Sequence, residues 1–203
     1  MTTYNTELQI LAKIRKAKGG SLFFIDDFLR FANSKTIGKA LERLVDRGEI
    51  TRVARGIYAR LEKDPILGPV KPSIEAIAKA IAKRDKARIV PTGVLALNAL
   101  GLSTQIPMNL VYLTDGAARK ITIGKRKIVF KKASPKNLAA IGKISSLVIL
   151  ALKEIGKDKV KEEEKAIIIE HLKKEELARL EHDIRLAPEW IRVIMRKALV
   201  SHS

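Results

Sequence analysis

A proline-rich stretch, DPILGPVKP at residues 64–72, constrains the fold of this 203-residue chain more than any other feature. The stretch holds three prolines and a glycine in nine positions. Proline removes a backbone donor and disfavours helix in the residue before it, so no helix is expected to run through these residues. We therefore predict a linker at residues 64–72, between an N-terminal domain of residues 1–63 and a larger domain of residues 73–203.

The N-terminal part predicts three helices followed by a two-stranded hairpin. The first helix follows the apolar spacing of ELQILAKI, and DDFLRFA predicts a short second helix. The third runs from about Lys35 to Arg47, with Ser34 as its N-cap and Gly48 as its C′ residue. EITRV and GIYAR then flank a turn at residues 54–56. This order of elements is the winged helix-turn-helix plan.

The third helix is two-sided when it is plotted at about 100° per residue. Its apolar arc contains Ile37, Ala40, Leu41, Leu44 and Val45. The neighbouring, mostly cationic arc contains Lys35, Thr36, Lys39, Arg43 and Arg47. Gly38 disfavours helix and so indicates a close approach, either to another helix or to a backbone.

A recognition helix of this kind inserts its N-terminal half into the DNA major groove, where lysine can donate to guanine. Arg43, one turn further on, is expected at phosphate, and the wing arginines at the DNA backbone or the minor groove. The predicted DNA-binding residues are Ser34, Lys35, Thr36, Lys39, Arg43, Arg52 and Arg55. The alternative is a winged-helix module that contacts protein and leaves its charged face in solvent.

Charge favours a nucleic-acid partner. The chain has 40 basic and 22 acidic residues, a net charge of +18, and such an excess disfavours a compact fold unless an anion offsets it. Residues 65–157 hold 17 basic and 4 acidic residues, whereas residues 158–203 hold 10 of each. We expect double-stranded DNA as the partner, with most of the positive charge in the middle of the chain.

The second part predicts a mixed domain of helices and a small antiparallel sheet, so the fold class is α+β. NLVYLTDGAARKITIGKRKIVFKKA predicts three antiparallel strands with turns at Asp115-Gly116 and Gly124-Lys125. An apolar helix ending at Gly156 follows, and then charged C-terminal helices. These last helices are expected either to pack on the domain or to dock a partner.

The strand region contains a possible second basic patch, made of Arg119, Lys120, Lys125, Arg126 and Lys127. Alternate strand residues point to opposite faces, so these side chains cannot all share one surface. The patch fits phosphate contacts or an acidic partner, but lysines also protect edge strands from aggregation. The sequence leaves both interpretations open.

Several other classes are disfavoured. There is no cysteine, no GxxxxGK[ST] loop and no GxGxxG motif, and the histidines lack ligand spacing. We therefore expect no metal, no cofactor and no enzyme; Asp115 is the only local candidate for a catalytic carboxylate. The chain also lacks an apolar run of membrane-spanning length and a secretory signal, which favours a cytoplasmic protein with no membrane partner.

Three stretches resemble a known family: VARGIYAR, RIVPTGVLALNALGLSTQIPMNLVYLTDG and KISSLVILALKEIGKD. They are similar to the AbiEi-type antitoxins of bacterial type IV toxin–antitoxin (abortive infection) systems. The resemblance covers roughly residues 20–157.

The resemblance implies an N-terminal winged helix that represses its own operon by binding operator repeats. It also implies a C-terminal domain that counteracts a nucleotidyltransferase toxin, with no stable complex required. The implied DNA-contacting role transfers only to the basic positions of the third helix and the wing. The alternative is a winged-helix transcriptional regulator whose second domain senses a ligand or a partner.

Overall fold

The computed structural model describes residues 2–105 and 107–202 of an α+β chain. The chain divides into two compact units, residues 2–81 and residues 82–202. The division falls inside a helix, α3 (Ile74–Arg84), rather than in the proline-rich stretch. Among the residues that the structure describes, no helix combines the length and the apolarity that crossing a bilayer requires.

Before α3, the first unit contains two helices, a three-stranded sheet and a two-stranded hairpin. Its elements are α1 (Thr2–Lys16), β1 (Leu22–Phe24), a 3₁₀ turn (Ile25–Phe28), α2 (Ser34–Asp46), β2 (Thr51–Ala54), β3 (Ile57–Ala59), β4 (Glu62–Asp64) and β5 (Gly68–Val70). β3 lies between β1 and β2, and both pairings are antiparallel. The predicted second helix is only the 3₁₀ turn, in which the Asp27 carboxylate accepts the Phe24 N–H at 2.7 Å.

The core of this unit forms where α1 and α2 pack together. Ile10 and Ile14 of α1 and Leu41 and Leu44 of α2 are almost fully buried in it, together with Phe28 of the 3₁₀ turn. The apolar arc predicted for the third helix is therefore the face that α2 buries, apart from the half-buried Val45.

Residues 64–72, predicted as a linker, contribute to the β4–β5 hairpin. The Asp64 carboxylate accepts the N–H groups of Ile66 and Leu67 at 2.8 Å each, and Gly68 follows with φ +72°. These two hydrogen bonds hold the pKa of Asp64 below its ordinary value. Pro69 is tolerated in β5 because β5 pairs only with β4 and proline is accepted in edge strands. The same prolines that exclude a helix thus allow a tight hairpin.

The second unit combines a four-stranded sheet with a cluster of helices. Its elements after α3 are β6 (Ile89–Pro91), α4 (Gly93–Ala99), β7 (Asn109–Thr114), β8 (Arg119–Ile123), β9 (Arg126–Lys132), α5 (Lys143–Ile155), α6 (Glu162–Leu172), α7 (Leu177–Leu186) and α8 (Glu189–Arg196). The predicted apolar helix is α5, and the predicted charged C-terminal helices are α6 to α8. A buried apolar cluster extends from α4 through α8, with Val148 and Leu152 of α5 inaccessible to solvent.

The strand order is β6-β7-β9-β8. The sequence predicted three strands that are all antiparallel, and this prediction is wrong for one pair. β7 and β9 are parallel, whereas the β6–β7 and β8–β9 pairs are antiparallel. The turn after β7 spans two strand spacings, about 10 Å, and β9 folds into the gap. The parallel register places Tyr112 opposite Phe130, with ring centroids 6.1 Å apart, and both rings are buried. Burial of Ile128 and Phe130 favours the central position for β9.

Candidate nucleic-acid interface

The N-terminus of α2 presents two free lysines. Lys35 and Lys39 are exposed, and within the described ranges no carboxylate pairs with either of them. The cap is Asn33 rather than the predicted Ser34: the Asn33 Oδ1 accepts the Thr36 N–H at 2.9 Å. Ser34 is instead an exposed residue of the first helical turn. The predicted base-reading residues thus lie together on the first turns of α2.

Gly38 lies next to open space. A Cβ added there would meet no heavy atom within 4 Å, leaving aside the helix's own backbone. The close approach predicted from this glycine is therefore not made to any other described element of the chain. The space is available to an external backbone.

Arg43 is engaged within the protein rather than free. Its Nε donates to Glu7 Oε2 of α1 at 2.5 Å, and the Arg47 guanidinium donates to the other oxygen of the same carboxylate. Glu7 is buried, and its pKa is held below the ordinary value, chiefly by the hydrogen bond from Arg43. The geometry gives Arg43 a role in fastening α2 to α1, a role that the helical pattern alone did not indicate.

We expect Glu7→Gln to lower the free energy of unfolding by about 1–2 kcal/mol at pH 7, because two arginines lose an ionised partner. Since the folded pKa of Glu7 lies below the unfolded one, this stabilisation is complete above the unfolded pKa, about 4.3. It is lost as the pH falls through the folded pKa. Urea unfolding at pH 7 and at pH 3 should show the difference between the two proteins shrinking in acid.

Glu42→Gln is the matched control, because Glu42 is exposed on α2 and makes no described ion pair. It should unfold like the wild type at both pH values. A Glu7→Gln protein as stable as the Glu42→Gln protein at pH 7 would contradict the role of the ion pair.

The acidic residues of α2 limit where an anion can approach. Glu42 and Asp46 are exposed in the C-terminal half of the helix. At about 100° per residue they lie on the same side as Lys35 and Lys39. The face that the sequence presents as cationic therefore has a free positive charge only in its N-terminal half, close to the positive end of the helix dipole.

The β2–β3 hairpin adds two further exposed cations, Arg52 and Arg55. Neither is paired with a carboxylate anywhere in the described part of the chain. The tip turns at Gly56, which has φ +72° and so favours glycine. Arg52 lies opposite Tyr58, whose pKa is raised because its phenol is buried. The hairpin thus exposes its charges and buries its apolar strand.

The second predicted patch separates into two kinds of residue. Arg119 pairs with Asp85 and lies over the Phe130 ring, with its guanidinium carbon 5.6 Å from the centroid. Arg126 donates to the Pro107 carbonyl at 3.2 Å. Lys120 and Lys127 are exposed on the other side of the sheet, and Lys125 is exposed in the β8–β9 turn. The two arginines thus make contacts within the second unit, whereas the three lysines are exposed and can contact another molecule.

Asp115 serves the loop after β7. Its carboxylate accepts the Arg88 N–H at 2.8 Å, and its carbonyl accepts Lys132 Nζ at 3.0 Å. These residues line an open cleft of about 400 Å³. Elsewhere, His171 Nε2 lies 3.1 Å from the Leu100 carbonyl oxygen. The described residues contain no grouping of three acidic or histidine side chains that could hold a metal ion.

A buried polar cluster at the N-terminus of α5 was not expected from the sequence. Asp183 is inaccessible to solvent and accepts hydrogen bonds from the backbone of Ile141 and Gly142 and from the Ser145 hydroxyl, at 2.8, 2.9 and 2.5 Å. Glu175 accepts the Ser145 N–H at 3.1 Å and the N–H of the preceding residue at 2.6 Å. In the sequence, Glu175 and Asp183 stand among many charged residues, and nothing in the local pattern distinguishes them from surface acids. They reach the N-terminus of α5 only through the tertiary fold.

Comparison with known families gives a match over most of the chain. Residues 9–180 match DUF6088, a family of unknown function. The chain belongs to the DUF6088 family. The matched range of this DUF6088 chain includes α2, the β2–β3 hairpin and the four-stranded sheet. It therefore contains the exposed cations of α2 and the hairpin and also the exposed lysines of the sheet. No curated protein matches the chain.

Proposed function

We propose that this DUF6088 chain is a cytoplasmic DNA-binding protein whose first unit is a winged helix-turn-helix. One observation carries the proposal: the N-terminal half of α2 and the β2–β3 hairpin present four exposed arginines and lysines, and none of them is paired with a described carboxylate. The other arginines of α2, Arg43 and Arg47, both pair with the Glu7 carboxylate.

The order of elements supports the winged-helix assignment. α2 follows the 3₁₀ turn, packs its apolar face on α1, and leads directly into the β2–β3 hairpin. In helix-turn-helix proteins the corresponding helix enters the major groove, and its N-terminal residues reach the base edges. The packed face of α2 leaves its opposite face free for such an approach.

The distribution of charge supports a defined contact mode. Ser34, Lys35, Thr36 and Lys39 would face bases or the adjacent phosphates from the start of α2. Glu42 and Asp46 would repel phosphate from its C-terminal half. The open space at Gly38 fits a nucleic-acid backbone at close range.

The wing would anchor the complex from the other side. Arg52 and Arg55 are free to meet phosphates or to enter a narrow minor groove, whose potential attracts arginine. Because phosphate contacts position a protein and base contacts specify a sequence, we assign positioning to the wing and reading to α2.

The antitoxin role rests on the resemblance to AbiEi-type antitoxins. Under it, the chain represses its own operon and counteracts a nucleotidyltransferase toxin without forming a stable complex. The test is coexpression of the full chain with a nucleotidyltransferase encoded beside it. Restored growth supports the antitoxin role; failure to restore growth leaves a DNA-binding regulator whose second unit senses a ligand or a partner.

Replacing Lys35 and Lys39 together with glutamate should weaken binding to the DNA upstream of the coding sequence by about 100-fold, since each lost contact is worth about 1–3 kcal/mol. The dependence of log affinity on log salt should also become shallower, by about one unit for each phosphate contact removed. Fluorescence anisotropy over a salt series measures both quantities. A repression reporter should show the same loss in cells.

The control is Lys16→Glu with Lys18→Glu, the same change in net charge at two exposed lysines near the end of α1. If the protein reads DNA through α2, the control should lose only a little DNA affinity, as a result of its lower net charge. Equal losses in the two double variants would reject α2 as the recognition helix.

A further inference from the structure

One side of the four-stranded sheet forms a surface that we call the lysine face. It carries Lys120 and Thr122 of β8 and Lys127, Val129 and Lys131 of β9. The register puts Lys120 opposite Val129 and Thr122 opposite Lys127, so all five side chains point to the same side. The buried Ile128 and Phe130 point to the other side.

The three lysines of this face are exposed, and they are close together. Lys120 is the diagonal neighbour of both Lys127 and Lys131, at about 7–8 Å between Cα atoms. The strands β7, β8 and β9 contain no acidic residue, and the described part of the chain pairs no carboxylate with these lysines. Three close, unpaired like charges disfavour the isolated fold and favour an anionic partner.

Edge protection does not account for the lysine face. β8 is an edge strand, so Lys120 could discourage pairing with another chain. β9 lies between β7 and β8, and its backbone groups are already paired on both sides. Lys127 and Lys131 therefore need another explanation.

An apolar strip runs from the middle of the lysine face onto β7. Val111 of β7 lies opposite Val129, and Leu113 lies opposite Lys131. All three apolar side chains are half-buried, so part of each is accessible. The result is a strip of valine and leucine with lysines on its β8 and β9 side; on its other side Leu113 lies opposite Val90 of β6, which is buried.

We propose that the lysine face docks an acidic segment of another protein, one that carries an apolar stripe. An apolar strip next to exposed polar groups resembles the apolar core and polar rim of protein–protein interfaces, and the lysines favour a partner of opposite charge. Phosphates gain nothing from valine or leucine, and the face has no aromatic side chain on which an unpaired base could stack. The proposal does not depend on DNA binding by α2.

The test measures binding of the full chain to a labelled synthetic peptide of about 16 residues, with glutamates on both sides of a leucine stripe. Lys127→Glu with Lys131→Glu should weaken this binding at least tenfold, and Val129→Ser about threefold. Lys157→Glu with Lys159→Glu, a matched change at two exposed lysines, should change it less than twofold. A labelled 20-base-pair duplex should bind the Val129→Ser protein like the wild type.

Circular dichroism confirms that each variant is folded. If the Lys127→Glu/Lys131→Glu variant is unfolded, Lys127→Gln with Lys131→Gln replaces it. This variant should also weaken peptide binding more than the control does, by a smaller factor. The proposal is overturned if the peptide does not bind saturably, or if all variants bind it alike. It is also overturned if the lysine substitutions weaken duplex binding more than the control does while peptide binding is unchanged.

Discussion

Replacing Asp183 by alanine is expected to lower the free energy of unfolding by about 3–5 kcal/mol. The Asp183 carboxylate is fully buried and accepts the N–H groups of Ile141 and Gly142 and the hydroxyl of Ser145. Without it these donors lose their acceptor; the donors of Gly142 and Ser145 are buried, and each unsatisfied buried donor costs about 1–3 kcal/mol. The start of α5 also loses a negative charge at the positive end of its dipole.

Urea unfolding followed by circular dichroism measures the effect, and Glu181→Ala is the control. Glu181 is an exposed residue of the same helix, α7, and makes no described ion pair or hydrogen bond. The control should unfold within about 0.5 kcal/mol of the wild type. If Asp183→Ala matched it, the buried cluster would contribute nothing to stability.

Gly142 belongs to the same cluster, because it leaves the space that the Ser145 hydroxyl and the Glu175 carboxylate occupy. A Cβ at this position would overlap Ser145 Oγ and lie 2.6 Å from Glu175 Oε2. The glycine is thus explained by close approach, and its backbone conformation is one that any residue can adopt.

Phe28→Ala is expected to destabilise the first unit by about 3–5 kcal/mol, the usual effect of truncating a fully buried phenylalanine. Phe28 is inaccessible to solvent, and its ring lies 5.8 Å from that of Phe23 and 6.4 Å from that of Phe31, measured between centroids. It fills the core against which the apolar face of α2 packs. If the first unit binds DNA as we propose, Phe28→Ala should lower the affinity only at temperatures at which the unit unfolds.

Leu29→Ala is the control for this change, since the neighbouring Leu29 is half exposed. Thermal unfolding should show a large fall in the melting temperature for Phe28→Ala and a small one for Leu29→Ala. A similar fall in both would mean that the 3₁₀ turn, rather than the buried ring, supports α2.

Local patterns located most elements correctly. The third predicted helix, about Lys35 to Arg47, is α2, and the Gly48 that was predicted to end it has φ +72°. α3 likewise has a local cap, because the Ser73 hydroxyl accepts the Ala76 N–H at 3.1 Å. These features depend on hydrogen bonds within a few residues, so the local sequence is sufficient to determine them.

Strand pairing could not be read in the same way. β8 and β9 form the predicted hairpin, but β7 pairs in parallel with β9 and so is not the neighbour of β8. Turn residues indicate that the chain reverses; they do not indicate which strand fills the space beside it. That choice depends on which of the two strands has more apolar area to bury: β9 buries Ile128 and Phe130, whereas the residues of β8 are all half-buried or exposed.

The sequence by itself determined the α+β class, the two-sided third helix, the basic hairpin tip and the concentration of positive charge after the proline-rich stretch. Only the tertiary structure decided which charges are free. Arg43 and Arg119 form ion pairs with Glu7 and Asp85, whereas Lys39 and Lys127 have no described acidic partner. The reason is physical: helical periodicity and strand alternation set the direction of a side chain, but the partner that it meets comes from residues distant in sequence.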